Sequence, residues 1–150
     1  MDQIAPIEVG LPVIDLDNML SFYRDVLSCE EMRRADIPPE LSQAIKTSAS
    51  GYINVWLRTP NGEVIKLVSP PQSPQRAERL EQSSERTGFA YLTFYCSDLD
   101  EVLTAAEARG ATVRSDRALL SGDIGLKMVF FEDPEGNVIE LVEPVADPRN

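Results

Sequence analysis

The chain has no histidine. That excludes a Ser-His-Asp or Cys-His arrangement, an imidazole base and any histidine-bearing metal site. Acid–base chemistry must then fall to carboxylates, lysine, tyrosine or cysteine. Cysteine is scarce as well. Cys29 and Cys96 stand far apart and make neither a disulfide framework nor a zinc spacing, so a reducing cytoplasm is the expected setting. No apolar run is long enough to span a bilayer. The first residues carry Asp2 and Glu8 rather than a basic segment and an apolar stretch, and no secretory signal is expected. Positive charge is also in deficit. Fourteen Lys and Arg face 25 Asp and Glu, a formal net charge of −11 spread along the chain. Such a surface repels phosphate backbones and anionic lipid, which argues against nucleic-acid and membrane partners. Solubility and attraction of a cationic ligand are the two readings of that charge.

What is present is a repeat. Leu57-Arg-Thr-Pro-Asn-Gly-Glu-Val-Ile-Lys-Leu-Val-Ser-Pro70 returns as Phe131-Glu-Asp-Pro-Glu-Gly-Asn-Val-Ile-Glu-Leu-Val-Glu-Pro144. Pro, Gly, Val, Ile, Leu, Val and Pro keep their places, while Lys66 faces Glu140. Upstream, Val13-Ile-Asp15-Leu-Asp17 is echoed by Cys96-Ser-Asp98-Leu-Asp100, and seven residues before each first aspartate stand Glu8 and Tyr91. A duplicated module with different polar residues at equivalent points places function between its halves.

Each half reads as a βαβββ unit. Residues 7–13 alternate apolar Ile7, Val9, Leu11 and Val13 with polar or small neighbours, a half-buried strand. Asp15 or Asp17 caps a helix whose Met19, Leu20, Phe22, Tyr23, Val26 and Leu27 recur at helical spacing. A short strand over 32–36, an irregular excursion to Ser50 with a helical turn or two, and a hairpin around Pro60-Asn61-Gly62 complete the first half. The stretch 71–87 is the connector, with 76–82 transiently helical. The second half repeats the order: strand 89–96, helix 99–109 closed by Gly110, strand 111–115, a loop to Leu126, and strands 127–131 and 137–142. Neither half buries its sheet alone. The 150 residues suffice for one domain, with modules over about 5–70 and 88–145. A domain of that size buries about 68–70% of its extended-chain surface.

The pattern resembles the vicinal oxygen chelate superfamily, which includes glyoxalase I, bleomycin-resistance proteins, methylmalonyl-CoA epimerase and extradiol dioxygenases. The resemblance rests on Asp15-Leu-Asp17 with Phe22-Tyr23 and Val26-Leu27, and more specifically on Phe131, Asp133-Pro134, Gly136-Asn137 and Ile139-Glu140-Leu141. It covers nearly the whole chain and implies an α+β fold, two βαβββ modules forming a cupped mixed sheet with helices on the outer face. It implies a homodimer too, without deciding whether modules pair within a chain or across the dimer.

In that superfamily the metal ligands come from the first and last strand of each module. The matching positions here are Glu8, Lys66, Tyr91 and Glu140, and strand parity turns all four away from the apolar face. Two carboxylates, an ammonium and a phenol make a poor cage for zinc, nickel or iron. A divalent ion about 4 Å from an ammonium is repelled by roughly 8 kcal/mol at an effective dielectric of about 20, a ceiling that lysine deprotonation would relax. No metal or other cofactor is therefore expected; if one binds, Glu8 and Glu140 are its ligands. The expected arrangement has the Lys66 ammonium near the metal position, bridged by Glu8 and Glu140, with Tyr91 donating a hydrogen bond.

Three readings of the quartet compete. In the catalytic one, Lys66 stabilises a developing enolate or oxyanion while Glu140 or Glu8 moves a proton, which implies a metal-independent lyase, isomerase or cyclase acting on a small oxygenated molecule. In the second, the chain sequesters a ligand as bleomycin-resistance proteins do. In the third, the ion pair only fills the cup. A metal-dependent glyoxalase or dioxygenase ranks behind the first two. Parity adds Tyr52, Asn54, Trp56, Arg58 and Tyr95, and on another strand Met128 and Phe130, as ligand contacts, although Trp56 as a core plug is an equal reading. Asp133 to Gly136 reads as turn chemistry, Cys96 as an inert core thiol and Cys29 as open to solvent. Segments 36–50 and 116–126 are long enough to form lids.

Overall fold

The computed structural model describes residues 2–85, 87–115, 119–121 and 126–144. The chain divides into two compact units between Gln75 and Arg76, inside the expected connector. No helix among the described residues is long and apolar enough to cross a membrane.

The first unit runs β1 (Glu8–Pro12), α1 (Leu16–Asp25), β2 (Glu30–Ile37), α2 (Pro39–Ala44), β3 (Tyr52–Arg58) and β4 (Val64–Ser69). Its sheet has the order β1-β4-β3-β2, with β1 parallel to β4 and the other pairs antiparallel. Helix α1 starts where Asp15 accepts from the Asn18 amide at 3.0 Å, satisfying a donor that the first turn leaves open. Its Met19, Leu20, Phe22 and Tyr23 are buried, and it packs on β4, where Ile65 and Leu67 are buried beside Val55 and Leu57 of β3. Burial of each such side chain contributes about 1.5–3 kcal/mol. Two expectations fail in this unit. Ile7 is 69% exposed, because the strand begins one residue later, at Glu8. Cys29 is buried, closing the turn after α1, and burial pushes its thiol up to about 11.

Residues 38–51 form a closed knot. The buried Ser42 hydroxyl bonds the Pro39 and Ser48 carbonyls and accepts from the Gly51 amide, and Gln43 donates to Ala49 O at 2.7 Å. Gly51 sits at φ +76°, where an added Cβ would lie 2.6 Å from Ile37 O.

The second unit runs β5 (Leu92–Tyr95), α3 (Leu99–Ala108), β6 (Thr112–Val113), β7 (Leu119–Ser121), β8 (Leu126–Glu132) and β9 (Val138–Pro144). Its sheet order is β5-β9-β8-β6, and β7 pairs with β8. Hydrogen bonding thus gives each βαβββ module its own mixed sheet. Asp98 caps α3 through the Glu101 amide at 2.9 Å, while Leu99, Leu103 and Ala106 turn inward over β9. Beside the helix start, Glu143 accepts from the Leu99 amide, and Lys127 reaches Asp100 at 2.6 Å and Glu143 at 3.6 Å. The hydrogen bond from Asp100 raises the Lys127 pKa. The expected lid over 116–126 lies largely outside the described residues, apart from β7.

Residues 76–82 are not helical. They are strapped down instead. Arg114, on the strand-like segment after β6, donates to the Leu80 carbonyl and to Glu81 O at 2.8 Å, and lies 3.4 Å from the buried Glu132, which Arg79 also approaches at 3.1 Å. A guanidinium satisfies these two carbonyls in place of backbone amides.

Two stability measurements follow. Arg114→Met should lower unfolding free energy by about 2–3 kcal/mol in urea, since among the described residues Glu132 keeps only the exposed Arg79; an unchanged midpoint would remove the strap from the account. Gly51→Ala should cost at least about 2 kcal/mol through left-handed backbone and the Ile37 clash. Gly62→Ala, in open space, should cost less, and equal losses would mean that the clash plays no part.

Candidate functional site

The sheet face opposite α1 in the first unit is assembled row by row from strand register. One row holds Glu30, Arg58, Val64 and Glu8; the next holds Arg33, Trp56, Lys66 and Gly10; the third holds Ala35, Asn54, Val68 and Pro12. Lys66 comes from the β4 stretch whose alternate residues Ile65 and Leu67 fill the core, so the pleat itself turns the ammonium to the open side. Lys66 Nζ stands 2.8 Å from Glu8 Oε2, with the two side chains 30% and 42% exposed. Gly10 presents no side chain beside the lysine, and a Cβ there would touch nothing within 4 Å.

Arg58 belongs to this face by parity, yet its guanidinium is engaged by Glu30 at 2.7 Å in an exposed pair. The arginine that meets Trp56 is Arg33, whose guanidinium carbon lies 3.8 Å from the ring centroid. Arg33 is absent from the sequence-based candidates. The signal for it was partial: the expected strand 32–36 contains it, but the register of β2 shifts between Glu31 and Arg33, and that bulge breaks the alternation that reveals a face. Tyr52 is half-buried at the edge of the face. Asn54 is 4% exposed, and its Oδ1 has no hydrogen-bond partner among the described residues.

In the second unit the equivalent face holds Thr93, Glu140 and Phe130 in one row and Tyr95, Val142 and Met128 in the next. Thr93 donates to Glu140 Oε2 at 2.6 Å. Tyr91 lies just before β5 rather than within it, 46% exposed, and meets Phe130 edge-on at a centroid distance of 5.2 Å. Tyr95 is 64% exposed, and Met128 and Phe130 are half-buried. Within its own unit each member of the expected quartet thus has a described partner: Glu8 and Lys66 each other, Glu140 Thr93, Tyr91 Phe130.

The acids of the closing turn are structural. Asp133 accepts from the Glu135 and Asn137 amides and from Asn137 Nδ2, all at 2.8–3.0 Å. Cys96 is half-buried next to Glu143, and burial followed by that negative charge pushes it up to about 11. Both settings keep a thiol protonated near neutrality. Among the described residues no three His, Cys, Asp or Glu side chains group closely enough to hold a metal ion.

Solved structures share this architecture. A glyoxalase family protein from Bacillus cereus superposes with a TM-score of 0.81 at 19% identity, over 97% of both chains. The fosfomycin resistance protein FosX of Listeria monocytogenes, solved with Mn(II) and sulfate, gives 0.63 at 14% identity over 99% of this chain and 98% of its own. Maize glyoxalase I gives 0.66 at 17% identity, with 94% of this chain covering 47% of that one. These likenesses establish the fold alone. A search of curated proteins finds no match. The sequence profile of the Glyoxalase/Bleomycin resistance protein/Dioxygenase superfamily matches residues 2–141, and the chain belongs to that superfamily.

Proposed function

We propose that the chain is a metal-independent enzyme of this superfamily, of the lyase, isomerase or cyclase type, acting beside the carbonyl of a small oxygenated molecule. The observation that carries the reading is the Lys66 ammonium held 2.8 Å from Glu8 on the open sheet face. A fixed positive charge at that place does what a Lewis acid does for an enolate: its N–H groups meet the oxygen where negative charge develops. In the proposed step a carboxylate, Glu140 or Glu8, takes the proton from carbon α to the carbonyl. The C–H pair moves into the enolate, whose oxygen Lys66 stabilises. Return of the proton, or departure of a β-substituent, completes an isomerisation or an elimination. Tyr91 donates a hydrogen bond to the same oxygen or to the working carboxylate.

This reading takes the chain as one domain and the protein as a cytoplasmic homodimer, as is common in the superfamily. The donor set does not fit a divalent ion. One of four ligand positions is an ammonium that already engages a Glu8 oxygen, another is a phenol, and no imidazole exists in the chain.

A specific observation supports a second reading, sequestration without turnover: Tyr91, against Phe130, and Tyr95, in the row of Met128, present large exposed aromatic surface. Such rings bury well against a planar ligand.

Proton exchange separates the two. In D₂O, proton NMR of a panel of small carbonyl compounds should show enzyme-dependent loss of an α-proton signal that chelators leave intact. Lys66→Met and Glu140→Gln should each slow it by about 10²–10³-fold while the fold persists. Exchange that requires added Mn(II), or that survives Lys66→Met, sinks the catalytic proposal. Tight ligand binding with no exchange anywhere, weakened most by Trp56→Ala, would install the sequestration reading instead.

A further inference from the structure

The first unit's open face has a cation without a carboxylate and a buried acceptor without a donor. Arg33 makes no ion pair among the described residues, in a chain whose acids outnumber its bases by 25 to 14. The other arginines of the first unit do find a carboxylate: Arg24 pairs with Asp25, Arg34 with Glu31 and Arg58 with Glu30. Arg33 instead lies over the Trp56 ring, 3.8 Å from its centroid. An indole beneath a guanidinium takes its flat side and leaves its N–H edge free, in the fork geometry that matches a carboxylate.

The neighbouring row supplies the second feature. Asn54, diagonal to Arg33 across β2 and β3, is 4% exposed with its Oδ1 unpartnered. Burying an amide oxygen without a donor costs about 1–3 kcal/mol, so the group that satisfies it must come from outside the described chain. The Asn54 row continues through Val68 to Pro12, and these two residues line a cleft of about 250 Å³ shared with loop 47–50 and the 70–74 segment. An opening of this size takes a small molecule or one end of a larger one.

From this juxtaposition we infer that Arg33 and Asn54 anchor the ligand, and that they select an organic acid carrying a hydroxyl or amino donor. The carboxylate pairs with the free edge of Arg33, and binding turns the Asn54 amide, whose Oδ1 is closed to solvent in this structure, so that it accepts from the donor. Trp56 is a positioning residue that fixes Arg33, so its face toward the arginine is not a stacking surface for the ligand. The inference rests on the reading of this face as the substrate site and deepens it to a substrate class. The carbonyl compound of the proposed reaction is then an oxo acid that also carries a hydroxyl or amino group, its carboxylate held by Arg33 and its separate carbonyl free to meet Lys66.

The probes are mandelate, its methyl ester, which lacks the charge, and phenylacetate, which lacks the donor. Binding to the full chain is read by calorimetry, and for the wild type also by fluorescence of Trp56, the one tryptophan in the sequence. Mandelate should bind with millimolar or better affinity, and the ester and Arg33→Met should each weaken it by about tenfold or more. Asn54→Leu should abolish the preference for mandelate over phenylacetate, about fivefold in the wild type, while leaving the protein at least as stable to urea. Trp56→Leu should lose the affinity that Arg33→Met loses, and Trp56→Phe should restore most of it, an outcome that a purely structural tryptophan would not give. Equal binding of acid and ester, no mandelate binding at millimolar concentration, or indifference to Arg33→Met would overturn the assignment. The two proposals fail separately. Affinity that ignores Arg33→Met but falls with Lys66→Met places the acid on the lysine and leaves the catalytic reading standing. Acid binding that follows Arg33, with no proton exchange in any substrate, leaves the anchor standing without the catalysis.

Discussion

The candidate site depends on one contact, the ammonium of Lys66 against the carboxylate of Glu8. Its energy is small. Both side chains keep about a third or more of their surface in solvent, and exposed pairs contribute roughly 0–1 kcal/mol to stability. Its value is positional. Without Glu8 the long lysine side chain would sample many rotamers, and with it the charge is fixed above a strand whose alternate residues, Ile65 and Leu67, are locked in the core. Gly10 leaves the space beside the lysine unfilled although neither packing nor a positive φ requires glycine there. A charge that contributes little to folding and stands beside an open position is better explained by a ligand than by the fold.

Duplication explains how the rest of the site diverged without loss of the scaffold. The hairpin turn of each copy closes with the same backbone bonds, Thr59 N to Glu63 O and Asp133 N to Asn137 O. The side chains across it have exchanged roles. In the first copy the Thr59 hydroxyl donates to the Glu63 carboxylate, which holds that acid below its ordinary range; in the second the Asp133 carboxylate accepts from the Asn137 amide. Either polarity closes the turn, so the scaffold tolerates the swap. On the open faces the same freedom has chemical consequences. Where the first copy sets Gly10 beside Lys66, the second sets Thr93 beside Glu140 and hydrogen-bonds it at 2.6 Å.

The topology was legible because periodicity and turn chemistry agree throughout. Asp15 and Asp98 mark both helix starts, the apolar spacing after each marks the buried stripe, and Gly62 and Gly136 mark both hairpins. Parity turned Lys66 and Glu8 away from the apolar face, and the resemblance to the superfamily set them at one site. What could not be read was anything set by a break in pattern or by contacts distant in sequence. The bulge in β2 hid Arg33, and with it the true neighbour of Trp56. The segment 76–80 has a helix-compatible composition but is not helical, and its contact with Arg114, far along the chain, could not be read from local pattern. β7 is three residues long and exists because β8 offers an edge; no alternation that short is distinguishable from a loop.

Asn54 is the point at which the fold argues against its own stability. Its immediate row mates are Ala35 and Val68, and Val55 beside it in sequence is fully buried, so leucine or valine would suit the position by volume and by hydrophobicity. An unpartnered amide oxygen there is a local rule broken without local compensation, the pattern expected where a site, rather than a core, sets the residue. Arg33 is a second irregularity one row away, without an ion pair among the described residues of an acidic chain. Either irregularity alone is weak. Together on one sheet face, with opposite hydrogen-bonding needs and a cleft at the end of the adjoining row, they describe the complement of a single molecule that carries both an anion and a donor.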